Sequence, residues 1–528
     1  MKIYFLLFIF LSGVLVTETF SSNHYIDKYA TGINDGTSWE NAWESFSAID
    51  WNSVHPGDII YISGGSDSTI YNEQFNISAS GTAGNLITIT PGIEAGHSGK
   101  VIIDGMQTFF NVINITNENY IVVKNLYLRN SDDSVIRIRN SQHVRIENCA
   151  IHMTARSGIN IMYNENVTIT GCTLTTDTFI PHQTDGIYSQ ENSNNIYENN
   201  YIVISNEDPD GHDDCIQSYS DYPLIIRDNY LEQNNSKTSN AQGIYITEPL
   251  GSDTTRIYNN IFNATLSASN GISYKNGSGS TSARVQIIGN TVYGENLSSQ
   301  YYITSTSDPI IKNNIGYSVN GSGILRLVDI SFSDPSNVDN NIWKCNDNSP
   351  VSMNSSGVSW SSWQSSGFDL HSYITNPQFN NISNKDFTLQ ASSDGIDHGQ
   401  SLYHPYNSDI DGILRPRGLG WDIGAYESDF TATIGDGDTL PVEYILFQNY
   451  PNPFNSSTMI SFYISFESNI RLLIYNNLGE LVVELTNKQF QAGSHTLNFN
   501  ASALTSGVYF YALQVNDFVE TKKMILMK

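Results

Sequence analysis

Five short strings align without gaps: SGINIM (157–162), DGIYSQ (185–190), DCIQSY (214–219), QGIYIT (242–247) and NGISYK (270–275). Their starts lie 28, 29, 28 and 28 residues apart, and the third position is isoleucine each time, at Ile159, Ile187, Ile216, Ile244 and Ile272. A second set interleaves with them: VRIENCAI, VTITGCTL, IYENNYI, LIIRDNYL, RIYNNIF, QIIGNTV and IIKNNI. At one shared position these carry Cys149, Cys172, Asn200, Asn229, Asn260, Asn290 and Asn314. Each period is a few β-rich runs divided by Asn, Gly, Ser and Asp turns. A unit of that size cannot bury its own apolar side, so it must stack on its neighbours.

Stacking puts Ile on Ile inside and Asn on Asn at a recurring turn, where side-chain amides can hydrogen-bond along the pile. That pattern predicts an all-β chain built on a parallel β-helix. A propeller blade needs four strands in ~40–50 residues, which these periods do not supply. The recognisable coils begin near residue 57 with PGDIIYISGG and GNLITITPG, then VIIDG and YIVVKNLYL. This opening resembles the start of many secreted right-handed β-helix proteins, including polysaccharide lyases of the chondroitinase B and alginate lyase type. NPQFNNISNKDFTLQASSDGIDHG, followed by DIDGILRPRGLGWDIGAYE (409–427), resembles the closing segment common in bacterial β-helix proteins. Its Asp397, His398, Asp411 and Asp422 are read as turn and cap residues. Cys149 and Cys172 fall on consecutive coils, as a core stack or a disulfide.

The two ends speak of export. MKIYFLLFIFLSGVLVTETFSS has one Lys, an apolar run from Ile3 to Val16 and then small polar residues, so residues 1–21 are read as a secretory signal peptide. The run is too short to span a bilayer comfortably, and no other stretch would cross one once the signal is removed. The β-helix domain is then 22–428 and DFTATIGDGDTL marks a linker at 429–440. Residues 441–528 show the alternating strands of a small β-sandwich. NYPNPFN, the N-x-x-G turn in IYNNLGELV and the G-x-Y strand in LTSGVYFYALQ resemble the C-terminal sorting domain of the type IX secretion system. The resemblance implies a partner in that machinery and a product released from, or attached to, the surface of a Gram-negative cell.

Charge narrows what the exported domain can touch. Lys and Arg number 25 against 53 Asp and Glu, a net charge of -28, which repels nucleic acid and anionic membranes. An acidic polysaccharide would be repelled too, unless a cation bridges it. Only 15% of residues are charged while 31 are Tyr, a composition suited to a folded extracellular β protein that handles sugars. If the Ile column points inward, alternation sends its neighbours out. Asn160, Tyr188, Gln217, Tyr245 and Ser273 then form one exposed column, and Met162, Gln190, Tyr219, Thr247 and Lys275 the next. Ser157, Asp185, Asp214, Gln242 and Asn270 precede them at the entry to each strand. One face therefore offers the stacked carboxylates Asp185 and Asp214, a third at Asp213, and Lys275. Tyr188, Gln217, Tyr219 and Tyr245 supply the sugar platform. Asp177, His182, Asp208, Asp210 and His212 come from the loops leading into the carboxylate-bearing strands. Asp185-Gly186 is equally good turn chemistry, whereas Asp213 and Asp214 are adjacent like charges that need a cation or shared proton to relieve them.

Two chemistries follow from resemblance. A lone Asp, an Asp pair one turn later and a Lys further on resemble the pectate lyase group. This likeness implies that Asp185, Asp213 and Asp214 hold Ca²⁺ against a uronate while Lys275, as base, starts β-elimination. Gln217 stands where another acidic ligand is expected, and Lys275 lies two coils beyond Asp214. Alternatively TDG (184–186), DDCI (213–216) and SYK (273–275) resemble polygalacturonase motifs, implying hydrolysis by paired Asp. There Ala241-Gln242-Gly243 replaces the family's G-H-G, and Ser273 its Arg. His212 counts among the catalytic candidates with no role fixed by either resemblance. A third reading is a non-catalytic glycan-binding or adhesin stalk. The expectation carried forward is a Ca-assisted lyase acting on a uronate-containing acidic polysaccharide.

Overall fold

A computed structural model describes residues 21–528 apart from 177–182, 206–211, 235–239, 265–267, 278–282, 322, 347–348, 403, 430–443, 447, 450, 465–466, 492, 516–517 and 528. The signal segment, most of the linker, and Asp177, His182, Asp208 and Asp210 lie outside the described residues. Up to Val358 the chain winds through three long sheets that it visits in rotation. The groove sheet runs from Phe75–Ile77 to Ser356–Val358, the flank sheet from Asn23–Ile26 to Val338–Asp339, and the back sheet from Ser68–Tyr71 to Ile342–Lys344. All pairings in the stack are parallel except the last hairpin, Val351–Met353 with Ser356–Val358. The coiling starts earlier than the repeat suggested, because Asn23–Ile26 already pairs with Ile59–Ile62.

Register follows the aligned strings. Ile159 lies opposite Ile187, Ile187 opposite Ile216, Ile216 opposite Ile244, and Ile244 opposite Ile272. All five side chains are buried and belong to one continuous core that runs from Ile26 to Trp363. A six-residue groove strand buries its first, second, third and fifth positions and turns the fourth and sixth outward. On four of the coils the second position is glycine, at Gly158, Gly186, Gly243 and Gly271, where there is little room for a side chain. A Cβ on Gly186 would sit 2.5 Å from the Cys215 carbonyl oxygen and 2.6 Å from Ile202 Cγ2. Asp185-Gly186 is thus the start of the strand Asp185–Gln190, not a turn.

The corner between flank and back sheets holds the expected amide ladder. Asn200 N donates to Asn229 Oδ1 (3.0 Å), Asn229 N to Asn260 Oδ1 (3.1 Å), Asn260 N to Asn290 Oδ1 (3.0 Å) and Asn290 N to Asn314 Oδ1 (3.0 Å). Each Nδ2 also donates to a main-chain carbonyl, so these buried amides pair both donors and acceptors of the corner. Cys149 and Cys172 head the same column as free, buried thiols packed in the core.

The segment after the coils lies against them. Asn259 Nδ2 donates to the Ser408 carbonyl and Gly424 N to that of Asn313. Asp422 accepts from Asp397 N and Ser428 N, and Asp397 from Gly420 N, the turn-holding roles read for them. The C-terminal residues form antiparallel sheets of three and four strands around their own core, centred on Phe462, Leu472, Tyr511 and Leu513. Among the described residues no helix is long and apolar enough to cross a membrane.

Candidate active site

Nine successive groove strands, from Asn111–Thr116 to Leu325–Val328, build one outer face. Among their outward fourth and sixth positions stand Arg137, Arg139, Lys275 and Arg326, and no acidic residue at all. In a chain of net charge -28 these positions offer an anion positive charge rather than repulsion. Tyr188, Gln217, Tyr219 and Tyr245 all lie on it, partly exposed as the alternation requires. Ser273 departs from expectation and is buried. It lies opposite Tyr245 on one side and Tyr302 on the other, and two tyrosines flanking a serine cover it.

The carboxylates sit at the edge of this face. Asp185 lines a cleft of about 470 Å³ together with Arg137, Arg156, Asn160, Gln183, Tyr188 and Gln217. Its Oδ1 accepts from Asp214 N (3.1 Å), and its Oδ2 from Gln183 Nε2 (3.3 Å). Asp214, on the next coil, accepts from Gln242 N at Oδ1 (2.9 Å). Asp185 is 3% exposed and Asp214 0%. Burial, then the nearby Asp214, hold the Asp185 carboxyl well above the usual carboxylate range. Burial also raises Asp214, to about 6, although His212 pulls the other way.

His212, which no motif placed, proves central. Its Nδ1 lies 3.1 Å from Asp214 Oδ2, its Nε2 3.4 Å from Gln242 Nε2, and its ring 5.1 Å from that of Tyr245. Burial works to lower its pKa, but the Asp214 carboxylate outweighs that and the net shift is upward. Gln242 occupies the position of the histidine in G-H-G, so an imidazole reaches the same neighbourhood from the preceding coil. Lys275 Nζ lies 4.6 Å from the Tyr245 ring centre and 5.2 Å from that of Tyr302, bridging over the small Ser273. Arg326 lies over the other reach of Tyr302, at 4.7 Å. Burial lowers the Lys275 pKa; Asp214 raises it and Arg326 lowers it further.

The structure thus gathers Asp185, Asp214, His212, Tyr245 and Lys275 over four successive coils. Asp213, beside Asp214, is turned to a different partner. Asp213 is wholly buried, and its Oδ1 accepts from Thr184 N (2.7 Å) on the coil before. Asp185 and Asp214 each spend an oxygen on a main-chain N–H, and the second oxygen of Asp214 lies 3.1 Å from the His212 imidazole.

Sequence reasoning missed Gln183, Tyr302, Arg326 and Asp221. Gln183 bridges Asp185 and Gln217, donating to both. Asp221 lies behind the site, accepting from Ser189, Ser218 and Asn192. Ser189 and Ser218 were visible signals, since they hold the fifth strand position where Ile161 and Ile246 stand on neighbouring coils.

Comparison with known proteins agrees with this architecture. Residues 58–207 and 111–294 match the family described as right handed beta helix region. Residues 448–527 match the secretion system C-terminal sorting domain. The chain is a protein with a right-handed parallel β-helix fold. More particularly, it is one that the type IX system of a Bacteroidetes-type Gram-negative bacterium exports, secreted or attached at the cell surface. No curated protein matches the sequence. Among solved structures it is similar to the GH136 lacto-N-biosidase from Eubacterium ramulus, at 12% identity over 67% of each chain and a TM-score of 0.38. It is also similar to the enzymatically active domain of tailspike protein 2 of bacteriophage CBA120, at 10% identity, 96% of this chain, 76% of that one and a TM-score of 0.28.

Proposed function

We propose that the protein cleaves an anionic, uronate-containing polysaccharide laid along the groove sheet, and that it does so by β-elimination. The observation that carries this reading is the fixed positive charge of Lys275 beside the His212–Asp214 pair, on a face without outward carboxylates. Elimination needs a cation to neutralise the uronate carboxylate and so acidify the C5 proton, and a base to take that proton. Lys275, backed by Arg326, supplies the charge. His212 is the base in place of Lys275, because Asp214 fixes its Nδ1 while the Lys275 ammonium is engaged by two ring faces. Asp185, whose carboxyl burial and the nearby Asp214 shift toward the protonated form, faces the cleft and donates to the departing glycosidic oxygen. From the Arg137 coil to the Lys275 coil is five steps of about 4.8 Å, a groove of roughly 24 Å for the chain. No step is routed through calcium.

A second reading, hydrolysis, is favoured by one observation: Asp185 and Asp214 are carboxyls on adjacent coils whose environments hold protons unusually well. Such pairs divide into acid and base, and the TDG and DDCI motifs resemble polygalacturonases. One experiment separates the readings. The full chain is incubated with pectate, alginate and glycosaminoglycans, with and without chelator, while unsaturated uronate absorbance and reducing ends are followed. Absorbance that survives chelation supports the metal-free elimination. Reducing ends without absorbance sink it in favour of hydrolysis, chelator-sensitive absorbance restores a cation, and no product at all leaves a binding stalk.

A further inference from the structure

A second column stands at the corner between groove sheet and flank sheet, away from the cleft. It consists of Tyr120, His143, Asn166 and Asn194, one residue per coil, with φ of 57°, 55°, 57° and 57°. Main-chain bonds hold it in register: Tyr120 N donates to the Gln142 carbonyl (2.9 Å), His143 N to that of Glu165 (3.0 Å) and Asn166 N to that of Ser193 (2.9 Å). Asparagine and histidine tolerate this left-handed conformation, whereas a tyrosine rarely adopts it. The turn itself would be served by Asn at all four positions, so the Tyr120 ring is there at a conformational cost that the corner does not require.

The rings are stacked, with centres 4.4 Å apart and planes 14° off parallel. Tyr120 covers one face of His143. Beyond the other face the column drops to the short amides of Asn166 and Asn194. This step belongs to a cleft of about 430 Å³ whose lining includes Leu86, Arg145, Thr168 and Ile196, within the ~300–1,000 Å³ typical of small-ligand sites. The full charge there is already matched, because Arg145 Nε lies 2.6 Å from Glu147 Oε1. A ring face for a ligand's C–H surface, amides for its hydroxyls and no free charge together describe an uncharged sugar.

We infer that this corner is a second glycan-binding site, which takes a neutral pyranose unit of a polysaccharide and holds the enzyme on material surrounding its acidic substrate. The inference stands apart from the groove chemistry, which uses another sheet. Its test is native affinity electrophoresis of the full chain in gels containing hydroxyethyl cellulose, xylan, galactomannan or soluble starch, with alginate as the acidic control. At least one neutral polymer is expected to slow the wild type. His143→Asn, which installs the residue next in the column and so keeps the backbone, should raise the apparent Kd about tenfold or more. Thr168→Trp, filling the cleft from its floor, should do the same, and Tyr245→Ala in the groove should leave neutral binding unchanged. The inference fails if no neutral polymer retards the wild type. It fails equally if both corner variants migrate as the wild type does, or if only Tyr245→Ala abolishes retardation.

Discussion

At the scale of single residues the site turns on two protons. His212→Gln keeps shape and hydrogen bonding but removes the base, and kcat/KM for eliminative cleavage is expected to fall by about 10²–10⁴-fold. In the wild type the His212 pKa is raised, so the imidazole is deprotonated, and the rate rises, only above the ordinary histidine value. Asp214→Asn removes the carboxylate that raises it, so the rising limb of the pH–rate profile should move to lower pH as kcat drops. Asp185 gives a stability signature of opposite kind. Its folded pKa is raised, so the folded state binds a proton that the unfolded chain releases above about pH 3.9, and stability is lost as pH climbs from there through the folded pKa. Asp185→Asn carries no such proton. Thermal melts should show it level with wild type in acid and increasingly more stable as pH rises to 8. Sequence made Asp185 and Asp214 legible because their strings align; His212 stayed unplaced because its contacts, Asp214 on one strand and Gln242 and Tyr245 on the next, lie outside its own loop.

At the scale of elements, the strand Asp185–Gln190 and the amide ladder show how little freedom the coil allows. Gly186→Ala pushes a methyl against the Cys215 carbonyl, so strands must part where Asp185 meets Asp214. The expected cost is about 1–3 kcal/mol in denaturant unfolding together with loss of cleavage. Asn229→Ala strips the acceptor from Asn200 N and the donor to the Tyr197 carbonyl, both buried. Each orphaned group costs about 1–3 kcal/mol, so this variant should be among the least stable at its corner. The ladder could be read from spacing alone, since one Asn per period is a pattern in one dimension. Ser273 could not, for its burial comes from tyrosines one coil to either side. The burial of Asp213 could not be read for a related reason: the alternation that orders a strand says nothing about the residue just before it.

At the scale of the molecule, the fold was legible because a solenoid writes its architecture as a period, and the tail because it carries its own ordered motifs. Chemistry was less legible, because Lys275 and His212 meet around Tyr245 only after winding brings three coils together. The outer groove face also sets how catalysis should respond to salt. Lys275→Ala with Arg326→Ala should lower kcat for an acidic chain as well as raise KM, and the wild-type KM should climb with ionic strength, as kinetics between 20 and 300 mM salt would show. A surplus of carboxylates elsewhere, and none among the outward strand positions of one long sheet, makes the exported molecule electrically two-sided. In the field of a polyanion such a body turns as it diffuses, so that most collisions begin with the groove already facing the chain.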